Sequence, residues 1–318
     1  MQPTAFGIDD GWFKQLFERS PDPTWIIEHN RFVECNDAAV STLGYRSREE
    51  FLNVHPSKLS PPLQPDGEDS YVKAERMMAL ANEQGLHRFE WMHTRADGTD
   101  FPAEVTLSAI ELHGRQIIYC VWRDITKRKQ MEEEVRQLAF YDALTSLANR
   151  RLLHDRLSQT IAANKRSGRH GAMIFLDLDN FKLLNDTHGH SVGDLLLIEA
   201  ANRLKSCVRN MDTLARFGGD EFVVMIAELD ADRSASIARA GIIAEKVRSV
   251  LAKPYALRIQ QDGEAPAMIE HQCTASIGVA LFGKDEVSRE SILKWADTAM
   301  YRAKEEGRNL IRFHEPSD

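Results

Sequence analysis

One stretch decides the fold of the second half of the chain: Arg216-Phe217-Gly218-Gly219-Asp220-Glu221-Phe222. Runs that read as strands lie on both sides of the two glycines, and only glycine adopts positive φ angles at low cost. The stretch therefore predicts a tight β-hairpin with Gly218 and Gly219 in the turn and Asp220 and Glu221 at the start of a buried strand. Adjacent carboxylates beside a bare backbone suit a metal ion and a phosphate ligand. The alternative is a hairpin with an acidic tip.

A further acid follows an apolar run upstream of this hairpin. Residues 172–176 are all apolar, which predicts a strand covered on both faces. The chain continues with Asp177, Leu178, Asp179, Asn180, Phe181 and Lys182. A helix starting at Asn180 would direct free N–H groups towards a metal-bound triphosphate. We expect Asp177 to be a metal ligand and Asp179 or Asn180 to be the helix N-cap, and helix capping alone is the alternative.

Several motifs around these acids resemble the GGDEF family, the diguanylate cyclases. They are the opening 142–151 (DxLTxLxNR), residues 185–194 (NDxxGHxxGD), the strand 273–280 (TxSIGVA) and the ending 296–309 (ADxAxYxAKxxGRN). The resemblance extends over about residues 142–313. It implies an α+β domain with a palm-like sheet surrounded by helices, as in nucleotide cyclases. It also implies condensation of two GTP molecules to cyclic di-GMP and two pyrophosphates.

The resemblance also implies roles for individual residues. Asp177, Asp220 and the carbonyl of Leu178 would bind Mg²⁺ or Mn²⁺, with Glu221 as a further acid. The groups expected at the GTP phosphates are Phe181, Lys182, Lys304 and Arg308. For Lys304 and Arg308 the alternative is that they stabilise a helix C-terminus.

Guanine recognition is expected from one amide and one carboxylate. Asp194 can accept from N1–H and N2–H of guanine, a pair that adenine does not offer. The resemblance places Asn185 beside it at the same base. The alternative for Asp194 is capping of a helix over 195–208.

An inhibitory product site is implied by the pair Arg209 and Asp212, which match the pattern RxxD six positions before Gly218. Arginine forks its N–H groups onto guanine or phosphate. Arg248, on a later predicted helix, is the candidate for a second arginine. A surface ion pair is the alternative for Arg209 and Asp212.

The first half of the chain reads as a hairpin, short helices and three antiparallel strands, an α+β order. It resembles a PAS domain over about 12–126, through 36–38 (NDA), 43–45 (LGY), 95–99 (RADGT) and 122–126 (WRDIT). The ligand of this domain is unknown from the sequence. His55 lies where some relatives bind haem, although such a residue more often ends a helix. Three tryptophans suit a flavin or a packed core equally well: Trp25, Trp91 and Trp122.

Four segments are predicted: an N-terminal segment 1–10, a PAS domain 11–126, a helical signalling linker 127–141 and a GGDEF domain 142–318. The linker carries an apolar seam at Met131, Val135 and Leu138. A solvated spacer helix is the alternative. Since one domain would hold one GTP, a cyclic product predicts a homodimer.

Composition excludes several classes of protein. The net charge of −8 argues against a nucleic-acid binder, and there is no apolar run long enough for a membrane span. The N-terminus has no basic region of a signal peptide, and the four cysteines lack metal or disulfide spacing. We therefore expect a cytoplasmic protein. Two rival functions stay open: a silent receptor that binds cyclic di-GMP at Arg209 and Asp212, and a PAS protein with the cyclase domain as dimerisation partner.

Overall fold

The structure, a computed structural model, describes residues 10–29, 31–112, 114–259, 267–283 and 288–315. Its chain divides between Glu133 and Glu134 into two compact units. Both mix helices and sheets, which confirms the predicted α+β class. The finer domain limits stay predictions, and most of the predicted segment 1–10 lies outside the described residues.

The first unit is built on one antiparallel sheet. Its helices are α1 (Asp10–Arg19), α2 (Asp37–Leu43), α3 (Arg48–Leu52) and α4 (Ser70–Gln84), with a 3₁₀ turn at Pro56–Leu59. Its strands are β1 (Thr24–Glu28), β2 (Arg31–Cys35), β3 (Leu86–Thr94), β4 (Asp100–Leu112) and β5 (Arg115–Asp124). The strand order is β2-β1-β5-β4-β3. The hairpin of β1 and β2 is joined to the three strands β3, β4 and β5 where β1 pairs with β5. One apolar cluster lies between this sheet and the helices.

The second unit begins within a connecting helix, α5 (Thr126–Phe140). Its helices are α6 (Arg150–Ser167), α7 (Phe181–His188), α8 (His190–Lys205), α9 (Arg233–Leu251) and α10 (Arg289–Glu305). Its strands are β6 (Gly171–Leu178), β7 (Thr213–Gly218), β8 (Glu221–Ile226), β9 (Tyr255–Ile259), β10 (Ala267–His271), β11 (Ala275–Phe282) and β12 (Ile311–Phe313). The main sheet has the order β12-β11-β6-β8-β7, and β9 and β10 form a separate ribbon.

Apolar clusters cover both faces of the main sheet, with β6 buried at its centre. Successive side chains of a strand point to opposite faces. Ala172, Ile174 and Leu176 pack with α8 and α9, whereas Met173 and Phe175 pack with α6 and α10. Asp177 lies two residues after Phe175, so its carboxylate points to the same face of the sheet, the face covered by α10.

Gly278 lets α10 approach the sheet closely. A Cβ at this position would lie 2.0 Å from the Ala296 carbonyl oxygen and 2.2 Å from the Met300 nitrogen. Any larger residue would displace the helix backbone, so the glycine fixes the height of α10 above β11. This packing sets the position of the last turn of α10, which carries Lys304.

No helix within the described ranges has both the length and the apolar character needed to cross a bilayer.

Candidate active site

The β7–β8 hairpin forms as the glycine pair predicts. Gly218 pairs with Glu221, and Gly219 has a φ of +51° in the turn between them. The Arg216 side chain closes the turn, because Nε and Nη2 donate to the Gly219 carbonyl at 2.9 and 2.7 Å. These bonds fix the peptide next to Asp220 in place.

The same arginine reaches back to Asp142, just after α5. Arg216 Nη1 lies 3.2 Å from each carboxylate oxygen of Asp142. Asp142 also accepts from the N–H and hydroxyl of Thr145, at 2.8 and 2.7 Å. Burial alone would raise the pKa of Asp142, but the Thr145 hydrogen bonds and the Arg216 charge outweigh it and lower the pKa. Sequence reasoning missed this link from the end of α5 to the hairpin, because 74 positions separate its two residues.

Three acids meet where β6 ends and β8 begins. Asp177 pairs in register with Glu221 across the two strands. The backbone N–H of Leu178 donates to the Asp220 carbonyl at 3.3 Å, which holds the turn against the end of β6. Asp177 is only 7% exposed, and its Oδ2 lies 2.7 Å from Nζ of Lys304. The structure thus brings together Asp177, Leu178, Asp220, Glu221 and Lys304.

Like charges crowd this cluster. Burial raises the pKa of Asp177, Asp220 raises it further, and Lys304 opposes the shift. Burial also raises the pKa of Glu221, as do the charges of Asp177 and Asp297. One lysine therefore faces an excess of carboxylates, a setting that favours an added cation.

The acid cluster fits Mg²⁺ or Mn²⁺ better than a metal caged entirely by protein. Among the described residues, no three His, Cys, Asp or Glu side chains are grouped to hold a metal ion. Mg²⁺ commonly binds one or two carboxylates and takes its other ligands from water and substrate phosphates. Asp177 and Asp220 are suitable for such a site.

Asp179 has a structural role that differs from the expected helix cap. Its carboxylate accepts from Thr274 Oγ1 at 2.6 Å, from Ser276 Oγ at 2.7 Å and from the Asn309 N–H at 3.0 Å. Asn180 stands at the N-cap position of α7 with a φ of +61° and forms no side-chain cap bond. Asn180 thus occupies the predicted N-cap position without a capping bond. The capping prediction is wrong for Asp179, which instead ties β6 to β11 and to the segment after α10.

The N-terminus of α7 consequently has no side-chain cap within the described structure. The first N–H groups of a helix lack partners inside the helix. Those of Phe181 and Lys182 open this helix directly after the acid cluster, and the Lys182 side chain is exposed. An anion is the natural partner for such N–H groups.

Asn185 is held against α8 by a close approach at Gly193. A Cβ on Gly193 would lie 1.9 Å from Asn185 Oδ1, so a larger residue there would displace the Asn185 side chain. The Gly189 N–H donates to the Asn185 backbone carbonyl at 2.8 Å. Asn185 Oδ1 is buried and has no hydrogen-bond partner among the described residues. Asp194 follows Gly193 and is exposed inside α8, so the capping alternative for Asp194 is wrong.

Arg308 lies just beyond α10 but is not in the acid cluster. Its side chain is exposed, and its backbone has a φ of +62°, with the N–H donating to the Ala303 carbonyl at 3.0 Å. The structure therefore places Lys304 in contact with the predicted metal ligand Asp177 and leaves the Arg308 side chain in solvent.

The predicted product site lies at the opposite end of β7. Asp212 Oδ2 accepts the backbone N–H of Arg209 at 3.0 Å. Both residues line a cavity of about 540 Å³, together with Arg239 from α9. Arg248 is elsewhere: it pairs with Glu245 at 2.7 Å and donates to Asn309 Oδ1 at 2.9 Å. Arg239, and not the predicted Arg248, is therefore the arginine of α9 that lines this cavity. The spacing along the helix does not show which side faces β8.

Comparison with known proteins agrees with these arrangements. A family model described as diguanylate cyclase, GGDEF domain, matches residues 139–310, and a PAS domain model matches residues 21–127. The chain is similar to the bifunctional diguanylate cyclase/cyclic di-GMP phosphodiesterase MucR of Pseudomonas aeruginosa, with 43% identity over 192 residues, or 60% of this chain and 26% of MucR. It is also similar to the diguanylate cyclase DgcM of Escherichia coli, with 29% identity over 309 residues, or 95% of this chain and 68% of DgcM.

Among solved structures, the second unit resembles the coiled coil and GGDEF domain of DgcB from Caulobacter crescentus in complex with c-di-GMP. The TM-score is 0.51 and the identity 27%, over 59% of this chain and 93% of that one. With respect to MucR, the chain spans about a quarter of that protein's length. The GGDEF match covers more than half of the chain. The chain belongs to the GGDEF family of diguanylate cyclase domains, and a PAS domain precedes its GGDEF domain.

Proposed function

We propose that the second unit condenses two GTP molecules to one cyclic di-GMP and two pyrophosphates. In each of two equivalent steps, the 3′-hydroxyl of one GTP attacks the α-phosphorus of the other. A phosphodiester bond forms, the bond between the α- and β-phosphates breaks, and pyrophosphate leaves with the electron pair. The hydroxyl proton passes to a base or to water.

One observation carries this proposal: Asp177, Asp220, Glu221 and Lys304 converge beside the uncapped start of α7. Carboxylates repel a triphosphate unless a cation lies between them, whereas a lysine and helical N–H groups attract it. Both kinds of group at one place suit a metal-bound nucleotide triphosphate.

Asp177 and Asp220 are the proposed holders of Mg²⁺ or Mn²⁺, with the Leu178 carbonyl as a further oxygen. When bound, the ion would favour ionisation of the attacking hydroxyl and neutralise charge on the leaving group. Lys304 neutralises one charge of the cluster and is positioned to move from Asp177 to a phosphate. Glu221 keeps a raised pKa in the cluster, which suits a carboxyl group that holds or releases a proton.

The nucleotide base would lie against α7 and α8. Asn185 Oδ1 is a buried acceptor that has no hydrogen-bond partner among the described residues. Asp194 offers two more acceptor oxygens. Together they match the N1–H and N2–H donors of guanine. Phe181 and Lys182 would bind phosphates through their backbone N–H groups, and Arg308 would reach them from solvent.

A homodimer is proposed because each unit offers one such nucleotide site. The exposed seam of α5 supports it: Met131, Val135 and Leu138 are each about two-thirds exposed at 65%, 65% and 66%. Apolar side chains at this spacing favour pairing with a second helix. The PAS unit would regulate the cyclase through α5, and the link between Asp142 and Arg216 gives α5 a route to the hairpin.

Product inhibition is proposed for the cavity at Arg209 and Asp212, with Arg239 as the second arginine. Cyclic di-GMP carries two phosphates and two guanines, which arginine side chains recognise. The six residues of β7 separate this cavity from the turn that carries Asp220.

Product analysis of the full chain with GTP and Mg²⁺ tests the proposal. We expect two pyrophosphates for each cyclic di-GMP, with a specific activity that rises with protein concentration as dimers form. A silent receptor would instead bind cyclic di-GMP and release no pyrophosphate, and that outcome would overturn the proposed activity.

A further inference from the structure

The first unit contains an apolar cavity of about 90 Å³ between its sheet and α4. Aromatic rings and two flexible methionines form much of its wall: Trp25, Phe32, Phe89, Trp91, Met77 and Met78. Neither the GTP site nor the product cavity of the second unit shares these residues. The cavity is therefore distinct from both of those sites.

His93 supplies an unusual polar atom to this apolar wall. It is 5% exposed, and its Nδ1 lies 2.9 Å from the Leu59 carbonyl oxygen. A carbonyl oxygen only accepts, so Nδ1 carries the hydrogen and Nε2 keeps its lone pair. Nε2 is buried and has no hydrogen-bond partner among the described residues. A buried acceptor in this state is unfavourable until a donor reaches it.

The charge state of His93 supports this assignment. Burial lowers the pKa of His93 to about 4, although the bond to Leu59 opposes the shift. The ring is therefore neutral near pH 7 and accepts through Nε2. The Nε1–H of Trp25, another residue of the wall, is also buried without a partner in the described structure.

We propose that this cavity binds a small, neutral, largely apolar molecule of about five non-hydrogen atoms, whose N–H or O–H group donates to Nε2 of His93. A cavity of roughly 150 Å³ holds benzene, so the smaller volume here suits a five-membered ring or a short alcohol. Met77 and Met78 can adjust their shape to such a ligand. The proposal concerns binding alone and does not depend on cyclase activity.

Other classes of ligand fit this cavity poorly. The residues that line it carry no carboxylate, ammonium or guanidinium group, so a charged ligand would lose its hydration without compensation. Haem and flavin are several times larger than benzene and exceed the cavity volume. A metal ion would find one histidine nitrogen there, and the described residues hold no group of three metal-ligating side chains.

Pyrrole and furan provide a matched pair of probes. Both are neutral five-membered rings, but only pyrrole has an N–H donor. Titration of the full chain should show saturable binding of pyrrole that is about tenfold tighter than that of furan, the ratio expected for one hydrogen bond. With ¹⁵N-labelled histidine, the Nε2 resonance of His93 should shift with pyrrole and not with furan.

Substitution of His93 separates the hydrogen bond from the fit of the ring. His93→Phe should reduce pyrrole affinity to that of furan while furan affinity stays within about twofold. His87→Phe is the matched control, because His87 lies on the same face of β3 but does not line the cavity, and phenylalanine keeps a ring that can stack on Phe89. It should bind both probes like the wild type.

A second variant keeps the test decisive if His93→Phe fails to fold. Ala74 lies on the α4 wall of the cavity, and Ala74→Leu should fill the space and abolish binding of both rings. Equal affinity of the wild type for pyrrole and furan, or unchanged binding to Ala74→Leu, would overturn the proposal. Absorbance above about 350 nm in the purified protein would also overturn it, because a haem or flavin would then occupy the unit.

Discussion

The cavity of the first unit and the acid cluster of the second both contain polar groups that the chain leaves unsatisfied, but their surroundings are opposite. His93 Nε2 is a neutral acceptor among aromatic rings, and burial holds it neutral. Asp177 and Glu221 are carboxylates pressed against other carboxylates, and burial together with like charge raises the pKa of both. The first setting favours a neutral donor and the second a cation, so the kind of ligand follows from what surrounds the group.

A finer comparison exists at the end of β6, where two aspartates differ only in their partners. Asp179 has three donors within the chain, from Thr274, Ser276 and Asn309. Asp177 has Lys304 and faces other acids. One carboxylate is complete without a ligand, and the other is not. This contrast predicts that one residue serves stability and the other activity.

The largest effect is expected from Asp220→Ala, which removes a proposed metal ligand from the turn. Synthesis of cyclic di-GMP should fall by at least about 10³-fold because a metal ligand is lost. The melting temperature should change little, because the Asp220 side chain is only half-buried at a hairpin turn. Glu270→Ala is the charge-matched control, since Glu270 is exposed on the separate β9–β10 ribbon. Normal turnover in folded Asp220→Ala would break the proposed role of the acid cluster.

The two aspartates at the end of β6, Asp177 and Asp179, should separate activity from stability. Asp177→Asn should lose about 10²-fold or more in rate, because an amide is a weak ligand for a hard cation. Asp179→Asn should instead lose about 2 kcal/mol of unfolding free energy, because its charge-assisted hydrogen bonds weaken. Chemical denaturation and GTP turnover of both variants measure the difference. Equal losses of stability would contradict it.

The pH dependence of stability gives an independent check of Asp177. A carboxyl group whose pKa is raised on folding contributes stability below its unfolded pKa and loses it as pH rises through the folded pKa. Without metal, the wild type should therefore lose more unfolding free energy than Asp177→Asn between about pH 4 and pH 7. If the unfolding free energies of the two proteins change in parallel with pH, folding does not raise the pKa of Asp177.

A moderate effect on specificity is expected from Asp194→Ser. Guanine N1–H and N2–H would lose a charged acceptor, so discrimination between GTP and ATP should fall about tenfold. Competition between the two nucleotides measures this ratio, with Glu270→Ala as the control of equal charge. Unchanged discrimination would show that Asp194 does not read the base.

The smallest effect on initial rate is expected from Arg209→Ala. Its rate should stay within about twofold of the wild type, while inhibition by added cyclic di-GMP disappears, because the cavity lies at the far end of β7. Arg248→Ala is the matched control and should keep inhibition, since Arg248 contacts Glu245 and Asn309. Equal inhibition of the wild type and Arg209→Ala would contradict a separate product site at Arg209.

Local patterns predicted much of this structure. The Gly218-Gly219 turn and the buried strand before Asp177 each depend on a few consecutive residues, and both form as predicted. The motifs also placed Asp177, Glu221 and Lys304 correctly as neighbours, because the family resemblance carried information about the sheet that spacing alone does not hold.

The errors arose where partners are distant in sequence. Asp179 was one of the two residues predicted to cap the next helix, but its partners Thr274 and Ser276 lie 95 and 97 positions away. Tertiary packing also decides the contact between Asp142 and Arg216. It likewise decides which arginine of α9, Arg239 or Arg248, lines the predicted product cavity. His93 carried no signal at all, because a histidine in an alternating strand looks the same whether or not its second nitrogen finds a partner.

Binding of Mn²⁺ tests most directly the claim that a cation completes the acid cluster. Electron paramagnetic resonance of the full chain with a non-hydrolysable GTP analogue measures it without turnover. We expect tight Mn²⁺ uptake by the wild type with the analogue, loss of that uptake in Asp177→Asn and Asp220→Ala, and its retention in Glu270→Ala. Wild-type Mn²⁺ affinity in both aspartate variants would contradict a metal site at the acid cluster.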